Sequence, residues 1–297
     1  MKKYSAFTML VFILFACEKI VDIDTGSERP FVVNSIFNPD STWRVDVFRS
    51  NALSSGEYTW GYDTIKDASV VITGDQITTL QYNKAGYYET EVKPGAAGMD
   101  YSIVVSAPEM PELTALCKLP VPIMVDTAYG EVISQYGDKM ILHFVIDDPA
   151  AESNYYEVYI DGWYRYYSEY YQDTVESPGW VDFQSTDPAY VVSEYSIHNS
   201  LAGERMLFQD VLFNGNRKIF SLSIPNYTWR YAGTHVKLSI TLRSVSAEYY
   251  QFRTTSQLQE DGRGDPFSQP VQVYNNIRNG TGIFAGFSSS VYTVQIQ

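Results

Sequence analysis

From Phe31 onward the chain consists mainly of short segments in which apolar and polar residues alternate. In one of them Trp43, Val45 and Val47 share a face, and period-two alternation of this kind indicates half-buried strands. Gly, Pro and Asn/Asp turns separate the segments, which is typical of all-β proteins. The predicted strands are 31–37, 43–49, 68–72, 78–82, 86–92, 100–105, 127–133, 139–147, 218–224, 234–242, 271–277 and 283–287.

One segment near the C-terminus breaks this rhythm. Ala247, Tyr250 and Leu258 follow one another at helical rather than strand spacing, and Ser246 is a suitable N-cap. A helix ending near Gly262 is therefore predicted. It is the one short helix in an otherwise all-β chain.

The proline-rich run at residues 119–122 predicts a domain boundary, because alternate prolines stiffen a linker. Residues 31–121 would form an N-terminal β-sandwich and residues 123–297 a C-terminal one. The segment 66–72 resembles the small regulatory sandwiches related to transthyretin and carboxypeptidase. The expected fold is thus two immunoglobulin/transthyretin-like sandwiches.

The first 16 residues have the features of a signal peptide. Lys2 and Lys3 precede an apolar run that is too short to span a bilayer. Leu14-Phe15-Ala16-Cys17 resembles a bacterial lipobox, which implies cleavage before Cys17 and lipidation of its thiol. The alternatives are an ordinary signal peptide and a buried first helix. Residues 17–30 would form a solvated acidic tether.

The remaining cysteine and the histidines provide little chemistry. If Cys17 carries lipid, Cys117 is the one thiol left, and its apolar neighbours favour a buried structural role. His143, His198 and His235 are scattered singly, so no metal site and no Cys/His pair is predicted.

The net charge of the chain argues against polyanionic partners. Removal of Lys2 and Lys3 leaves 19 basic against 35 acidic residues, a net charge of −16. Such a chain repels nucleic acid and anionic lipid headgroups. Membrane attachment would then depend on the lipid anchor.

Residues 154–183 contain ten Tyr and Trp side chains. Aromatic faces stack on C–H-rich surfaces, so a glycan or peptide platform on an aromatic-rich loop is one interpretation. The alternative is that half of these rings alternate into a core while the rest cover a long loop. The candidate ligand-binding residues are Tyr159, Trp163, Tyr164, Tyr166 and Trp180.

The second half of the chain contains five distinctive motifs. They are Asp210-x-x-Phe213-Asn214-Gly215, Glu248-Tyr249-Tyr250, Gly264-Asp265-Pro266-Phe267-x-x-Pro270, Tyr274-Asn275-Asn276-Ile277 and Gly280-x-Gly282-Ile283-Phe284-Ala285. These motifs resemble a family of Bacteroidetes lipoproteins classed as a domain of unknown function. The resemblance implies an outer-membrane lipoprotein that works with a SusC-like TonB-dependent receptor in nutrient uptake, without a known catalytic residue or cofactor. Whether it would face the cell surface or the periplasm is left open.

The last two of these motifs are expected to close the second sandwich. Asp265-Pro266-Phe267 would end the helix and return the chain to the sheet. We expect Gly282 to allow a close backbone approach that a side chain would block.

Three functions follow from the sequence. The first is a non-enzymatic accessory lipoprotein docked on a TonB-dependent receptor, and the second is a glycan- or peptide-binding protein. An enzyme is the weakest, because Asp147 and Asp148 would point to opposite faces of a strand. Asp161 and Glu169 are placed by no motif. The sequence therefore predicts no catalytic residue and no cofactor.

Overall fold

The computed structural model describes residues 29–50, 63–132, 139–150, 152–191, 202–203, 205–225, 236–262, 269 and 271–296. Within it, Pro30–Ser50 and Tyr62–Gln297 form one compact unit. The predicted signal peptide, the tether up to residue 28 and Asp265-Pro266-Phe267 lie outside the described residues. The domain boundary near residue 122 stays a prediction.

Strands make up 54% of the structure, which confirms the all-β class. The strands are β1 (Phe31–Phe37), β2 (Arg44–Arg49), β3 (Asp63–Thr64), β4 (Ser69–Thr73), β5 (Ile77–Tyr82), β6 (Tyr88–Glu89), β7 (Asp100–Ser106), β8 (Leu113–Lys118), β9 (Val125–Val132), β10 (Lys139–Asp147), β11 (Tyr155–Ser168), β12 (Asp173–Trp180), β13 (Phe183–Gln184), β14 (Ala202–Gly203), β15 (Arg205–Gln209), β16 (Arg217–Pro225), β17 (Val236–Val245) and β18 (Thr281–Ile296).

Two helices occur among the described residues, α1 (Pro188–Val191) and α2 (Ala247–Asp261). The expectation of one helix was therefore incomplete. α1 is a single turn, too short for a periodic pattern to show. α2 begins as predicted, because the Ser246 side chain accepts a hydrogen bond from the Tyr249 amide, and it ends at Gly262.

The strands form two sheets. A 13-stranded sheet runs in the order β12-β11-β17-β18-β1-β2-β6-β5-β4-β7-β8, with β15 beside β11 and β3 beside β2. A 5-stranded sheet runs β14-β13-β16-β10-β9. Apolar side chains of β10 and β16 pack against those of β11 and β17 in one core, which gives this half of the molecule its sandwich.

A second core lies under β1 to β8. Alternation places Val45 and Val47 inside, together with Trp43 just before β2, as the sequence predicts. Cys117 of β8 is buried there and free, as expected, and burial raises the pKa of its thiol to about 12. Phe284 of β18 joins this core, although it lies far away in the sequence.

β18 connects the two halves of the large sheet. Its first part pairs in parallel with β1, from Val32 opposite Thr281 to Phe37 opposite Gly286. Its second part pairs antiparallel with β17, from Phe287 to Ile296. The motif at the start of β18 therefore does not close the second sandwich alone, as the sequence suggested, but joins the sheet of the first.

Gly282 lies where β18 meets β1. Its φ of 121° is in the region that favours glycine, and a Cβ there would overlap the carbonyl oxygen of Val33. The expected close backbone approach is confirmed.

The two asparagines of the preceding motif hold the entry to β18. Asn276 donates to the carbonyl of Phe284 (2.8 Å) and accepts from its amide (2.9 Å), while the same carboxamide reaches the carbonyl of Leu116 (3.3 Å). Asn275 accepts from the Ile277 amide (2.8 Å). These side chains supply hydrogen bonds that a regular ladder would otherwise provide.

The Asp210-to-Gly215 motif also has a structural role. The Asp210 carboxylate accepts from the Asn154 amide (2.7 Å), and burial raises the pKa of this carboxyl. Gly215, with a φ of 72°, donates its amide to Asp148 (2.8 Å), which also accepts from the hydroxyl of Tyr156. Two buried carboxylates thereby fix the turn into β16.

We predict that Gly282→Val destabilises the protein, because the new side chain meets the Val33 carbonyl and the left-handed backbone becomes strained. The expected loss is about 2 kcal/mol or more. Thermal unfolding should show a midpoint about 4–8 °C lower. Thr281→Val, which places the same side chain one residue earlier in β18, is the control and should change little. An unchanged midpoint for Gly282→Val would contradict the role assigned to this glycine.

Candidate ligand-binding surface

The aromatic segment 154–183 forms a hairpin of two long strands. The structure thus corrects the aromatic-rich loop expected from sequence, because β11 and β12 pair from Asp161 opposite Trp180 to Ser168 opposite Asp173. Aromatic residues occupy both faces of β11, which hides the alternation by which strands are recognised.

Residue parity decides which side chains β11 exposes. Tyr156, Val158 and Ile160 are buried in the sandwich core. The alternate residues, including Asp161 and Trp163, therefore lie on the outer face of the sheet. Trp180 belongs to the same face, because it stands directly opposite Asp161.

The exposed part of this face carries two tryptophans. Trp163 is 42% and Trp180 is 66% exposed, unusually high for such large apolar rings. Trp163 pairs with Pro178, two positions from Trp180. The two rings therefore stand on diagonal positions, about 7–8 Å apart at their bases.

Polar side chains extend the row of Trp180 across the sheet. Asp161 of β11 pairs with Ser239 of β17, and Ser239 pairs with Thr293 of β18, where the two hydroxyl oxygens lie 3.5 Å apart. We call the surface formed by Trp163, Trp180, Asp161, Ser239 and Thr293 the tryptophan face. Partial burial raises the pKa of Asp161, against the opposing effect of Arg205 and Arg243.

A buried ion cluster lies beside the tryptophan face on the same side of the sheet. It consists of Glu157, Arg205, Arg243 and Tyr249. The Glu157 carboxylate is almost fully buried and accepts from Arg243 (2.8 Å) and from the Tyr249 hydroxyl (3.0 Å), with Arg205 at 3.5 Å. Burial is the largest cause that raises the pKa of the Tyr249 hydroxyl to about 12, and the negative charge of Glu157 is the second.

Tyr159 lies between the ion cluster and the tryptophan face. Arg243 stands 4.9 Å and Arg205 5.3 Å from its ring centroid, so both guanidinium groups make cation–π contacts with it. Arg243 also lies 4.2 Å from the ring of Phe287. Tyr159 therefore supports the surface instead of forming its outermost part.

The predicted site residues have different outcomes. Trp163 and Trp180 are brought together on one exposed face, with Tyr159 half-buried beside them. The side chains of Tyr164 and Tyr166, and Cys17 as a whole, lie outside what the structure describes. Three further exposed tyrosines extend the aromatic surface toward the end of the hairpin. They are Tyr167, Tyr170 and Tyr171.

Sequence reasoning missed the two arginines. Arg205 and Arg243 come from β15 and β17, and the strand pairing alone places them opposite Tyr159 and Glu157. The alternation of β17 could have indicated that Arg243 faces away from the core. Nothing local could have indicated its partner, because that depends on which strands pair.

A contact between Ser221 and His143 resembles part of a hydrolytic triad. On the outer face of the 5-stranded sheet, Ser221 lies 2.9 Å from Nδ1 of His143, whose Nε2 lies 3.9 Å from Glu131. His143 also stacks on Tyr129. The contact lies on an exposed strand surface. Packing and surface pairing account for it.

Among the residues the structure covers, no group of three acidic, His or Cys side chains could hold a metal. Asp147 is exposed and pairs with Arg217, while Asp148 is buried, so these neighbours do point to opposite sides. None of the described helices is long and apolar enough to cross a membrane.

Fold and surface together define an all-β protein with an exposed aromatic sheet face. The profile of the family described as Domain of unknown function (DUF4249) matches residues 18–293. The chain therefore belongs to this family, as its motifs indicated. No curated protein matches it.

One similar solved structure is the collagen binding domain of Erysipelothrix rhusiopathiae surface protein RspB. It is 9% identical, and the alignment covers 91% of this chain and 98% of that one, with a TM-score of 0.21. At this score the likeness carries no argument.

We predict that Glu157→Gln destabilises the fold, because Arg243 would stay buried without its counter-charge. Removing one partner of a buried pair costs about 3–5 kcal/mol. Denaturant unfolding would measure the loss. Glu112→Gln, at an exposed position just before β8, is the control and should stay within about 0.5 kcal/mol of the parent. Equal stability of the two variants would contradict the role of the ion cluster.

Proposed function

We propose that this protein is a non-enzymatic lipoprotein of the outer membrane that captures a glycan on its tryptophan face. The observation that carries the proposal is the exposed pair Trp163 and Trp180 on one flat sheet surface. Sugar rings present C–H groups to aromatic faces, and tryptophan gives the largest stacking area.

The neighbouring polar groups suit such a ligand. Asp161, Ser239 and Thr293 continue the row of Trp180. Sugar hydroxyls both donate and accept hydrogen bonds, as do the hydroxyls of Ser239 and Thr293. Four residues across neighbouring strands span about 14 Å, enough for more than one sugar ring to lie along the row.

The remainder of the proposal concerns place and partner. The lipobox-like run before Cys17 supports a lipid anchor, since the acidic chain would not adhere to anionic headgroups by charge. The family resemblance supports a SusC-like TonB-dependent receptor as the partner in nutrient uptake. In this scheme the protein holds a glycan beside the receptor that imports it.

We predict that Trp163→Ala combined with Trp180→Ala reduces glycan affinity about ten-fold or more, because each stacked ring contributes about 0.5–1.5 kcal/mol beyond its buried area. A glycan array followed by calorimetry on the best hit measures this. Tyr129→Ala, which removes an exposed ring from β9 of the 5-stranded sheet, is the control. Thermal unfolding of all variants checks that they fold.

Two outcomes would refute glycan capture by this face. One is an array without hits for the parent protein. The other is a hit whose affinity is the same in the double tryptophan variant. Binding of peptides instead of glycans, lost in the same variant, would identify the alternative ligand class for this surface.

We predict that Cys17→Ala releases the protein from the membrane fraction, because the thiol that would carry the lipid is gone. Detergent phase partitioning of cell envelopes measures this. Cys117→Ala, which removes the other, buried thiol, should leave partitioning unchanged. Membrane retention of the Cys17 variant would contradict lipid anchoring.

Gentle-detergent purification of the parent protein should recover a TonB-dependent receptor, and its absence across growth conditions would contradict the partnership.

A further inference from the structure

A cavity of about 610 Å³ lies at the other end of the same sheet face. It is bounded by α2, the start of β11, the end of β15 and the segment 272–275. Its volume falls within the range of small-ligand sites, about 300–1,000 Å³. We call it the amide groove. Its lining residues are Tyr155, Gln209, Tyr250, Gln251, Thr255, Gln272, Val273, Tyr274 and Asn275.

The lining is polar but carries no charged side chain. Three of its carboxamides, those of Gln209, Gln251 and Gln272, make no hydrogen bond with any described residue. Each can donate two hydrogen bonds and accept others. Such a groove favours an uncharged ligand that offers donors and acceptors in close succession, because a buried charge would find no partner.

The rim of the groove is a free stretch of main chain. Val271, Gln272 and Val273 run without turn or helix, and their peptide groups form no hydrogen bond with the described residues. The next residue fixes the rim, since the Tyr274 amide donates to the Thr255 hydroxyl of α2 (2.8 Å). Main-chain amides and carbonyls without partners are groups with which another extended chain can pair.

The aromatic rings of the groove already pack against other side chains of the protein. Tyr155 and Tyr250 pack on each other with centroids 4.8 Å apart, and Tyr250 is almost fully buried. Tyr274 packs against the same small core. A sugar ring would therefore find little stacking surface here, in contrast to Trp163 and Trp180. Hydrogen bonding to amides is the chemistry that the groove offers.

We propose that the amide groove binds an uncharged, extended peptide segment. The peptide would pair with the main chain of residues 271–273, while the carboxamides of Gln209 and Gln251 on the other walls of the groove, and that of Gln272 on the rim, hold its peptide groups. Main-chain pairing would supply most of the affinity. This site is separate from the glycan surface and does not depend on it.

The probe is a phage-displayed library of short random peptides, selected on the full lipidated protein in detergent. Selection should enrich sequences without charge and rich in β-formers. A synthetic peptide of the enriched sequence should bind the combined variant Gln209→Ala, Gln251→Ala and Gln272→Ala about ten-fold or more weakly, because three hydrogen-bonding groups are lost. Gln257→Ala, an exposed glutamine of α2 outside the groove, is the control and should bind normally.

The outcomes separate this proposal from glycan capture. Trp163→Ala with Trp180→Ala should leave peptide binding intact, whether or not glycan binding occurs. Thermal unfolding establishes that the glutamine variant is folded. The proposal is overturned if no peptide is enriched, if the enriched peptides bind the folded glutamine variant as tightly as the parent, or if neutral oligosaccharides occupy the groove and are lost in that variant.

Discussion

The parallel pairing of β1 with β18 is the contact on which the large sheet depends. One 16-residue strand lies against β1 in its first part and against β17 in its second. Phe284 thereby enters one core and Val294 the other. Near the start of β18, the backbones of β18 and β1 approach each other so closely at Gly282 that a side chain would not fit. A residue without a Cβ is therefore a condition for joining the two halves of this sheet.

The position of the tryptophan face follows from the same strand. Thr293 belongs to β18 and Ser239 to its neighbour β17, so the register of this pair decides which hydroxyls stand beside Asp161. A shift of β18 by one residue would turn Thr293 to the other face and remove its hydroxyl from the row. The Asn275 and Asn276 side chains hold the start of β18 and so help to fix that register.

Local chemistry predicted most strands, because alternation reports burial directly. Short segments were enough to predict that Trp43 and its alternate neighbours share a buried face. They also predicted that Ser246 caps a helix and that Cys117 is buried. Some predictions were wrong. Segment 86–92 keeps only the two-residue β6, and the strand predicted at 271–277 is not formed. β8 was not identified as a strand, although Leu113, Ala115 and Cys117 alternate into the core.

Long-range pairing is the part that sequence could not supply. β1 and β18 lie at opposite ends of the chain, and no local pattern says that they are neighbours. The candidate surface shows the same limit. Its tryptophans were found by composition, whereas Arg205 and Arg243 reach Tyr159 through the pairing of β15 and β17 with β11. A charged side chain on the outer face of a strand is expected to be exposed. Only its cross-strand partner shows that it is instead buried in a pair.

The ion cluster explains why one sheet face can offer two different chemistries. Glu157 pairs with Arg243 and accepts from Tyr249, so the middle of the face is filled by side chains that contact one another. On one side of it remain the exposed rings of Trp163 and Trp180, and on the other the carboxamides that line the groove. From Tyr155 to Asp161 along β11 is about 20 Å. Because α2 supplies both Tyr249 and Gln251, the contact that closes the middle of the face also positions one wall of the groove.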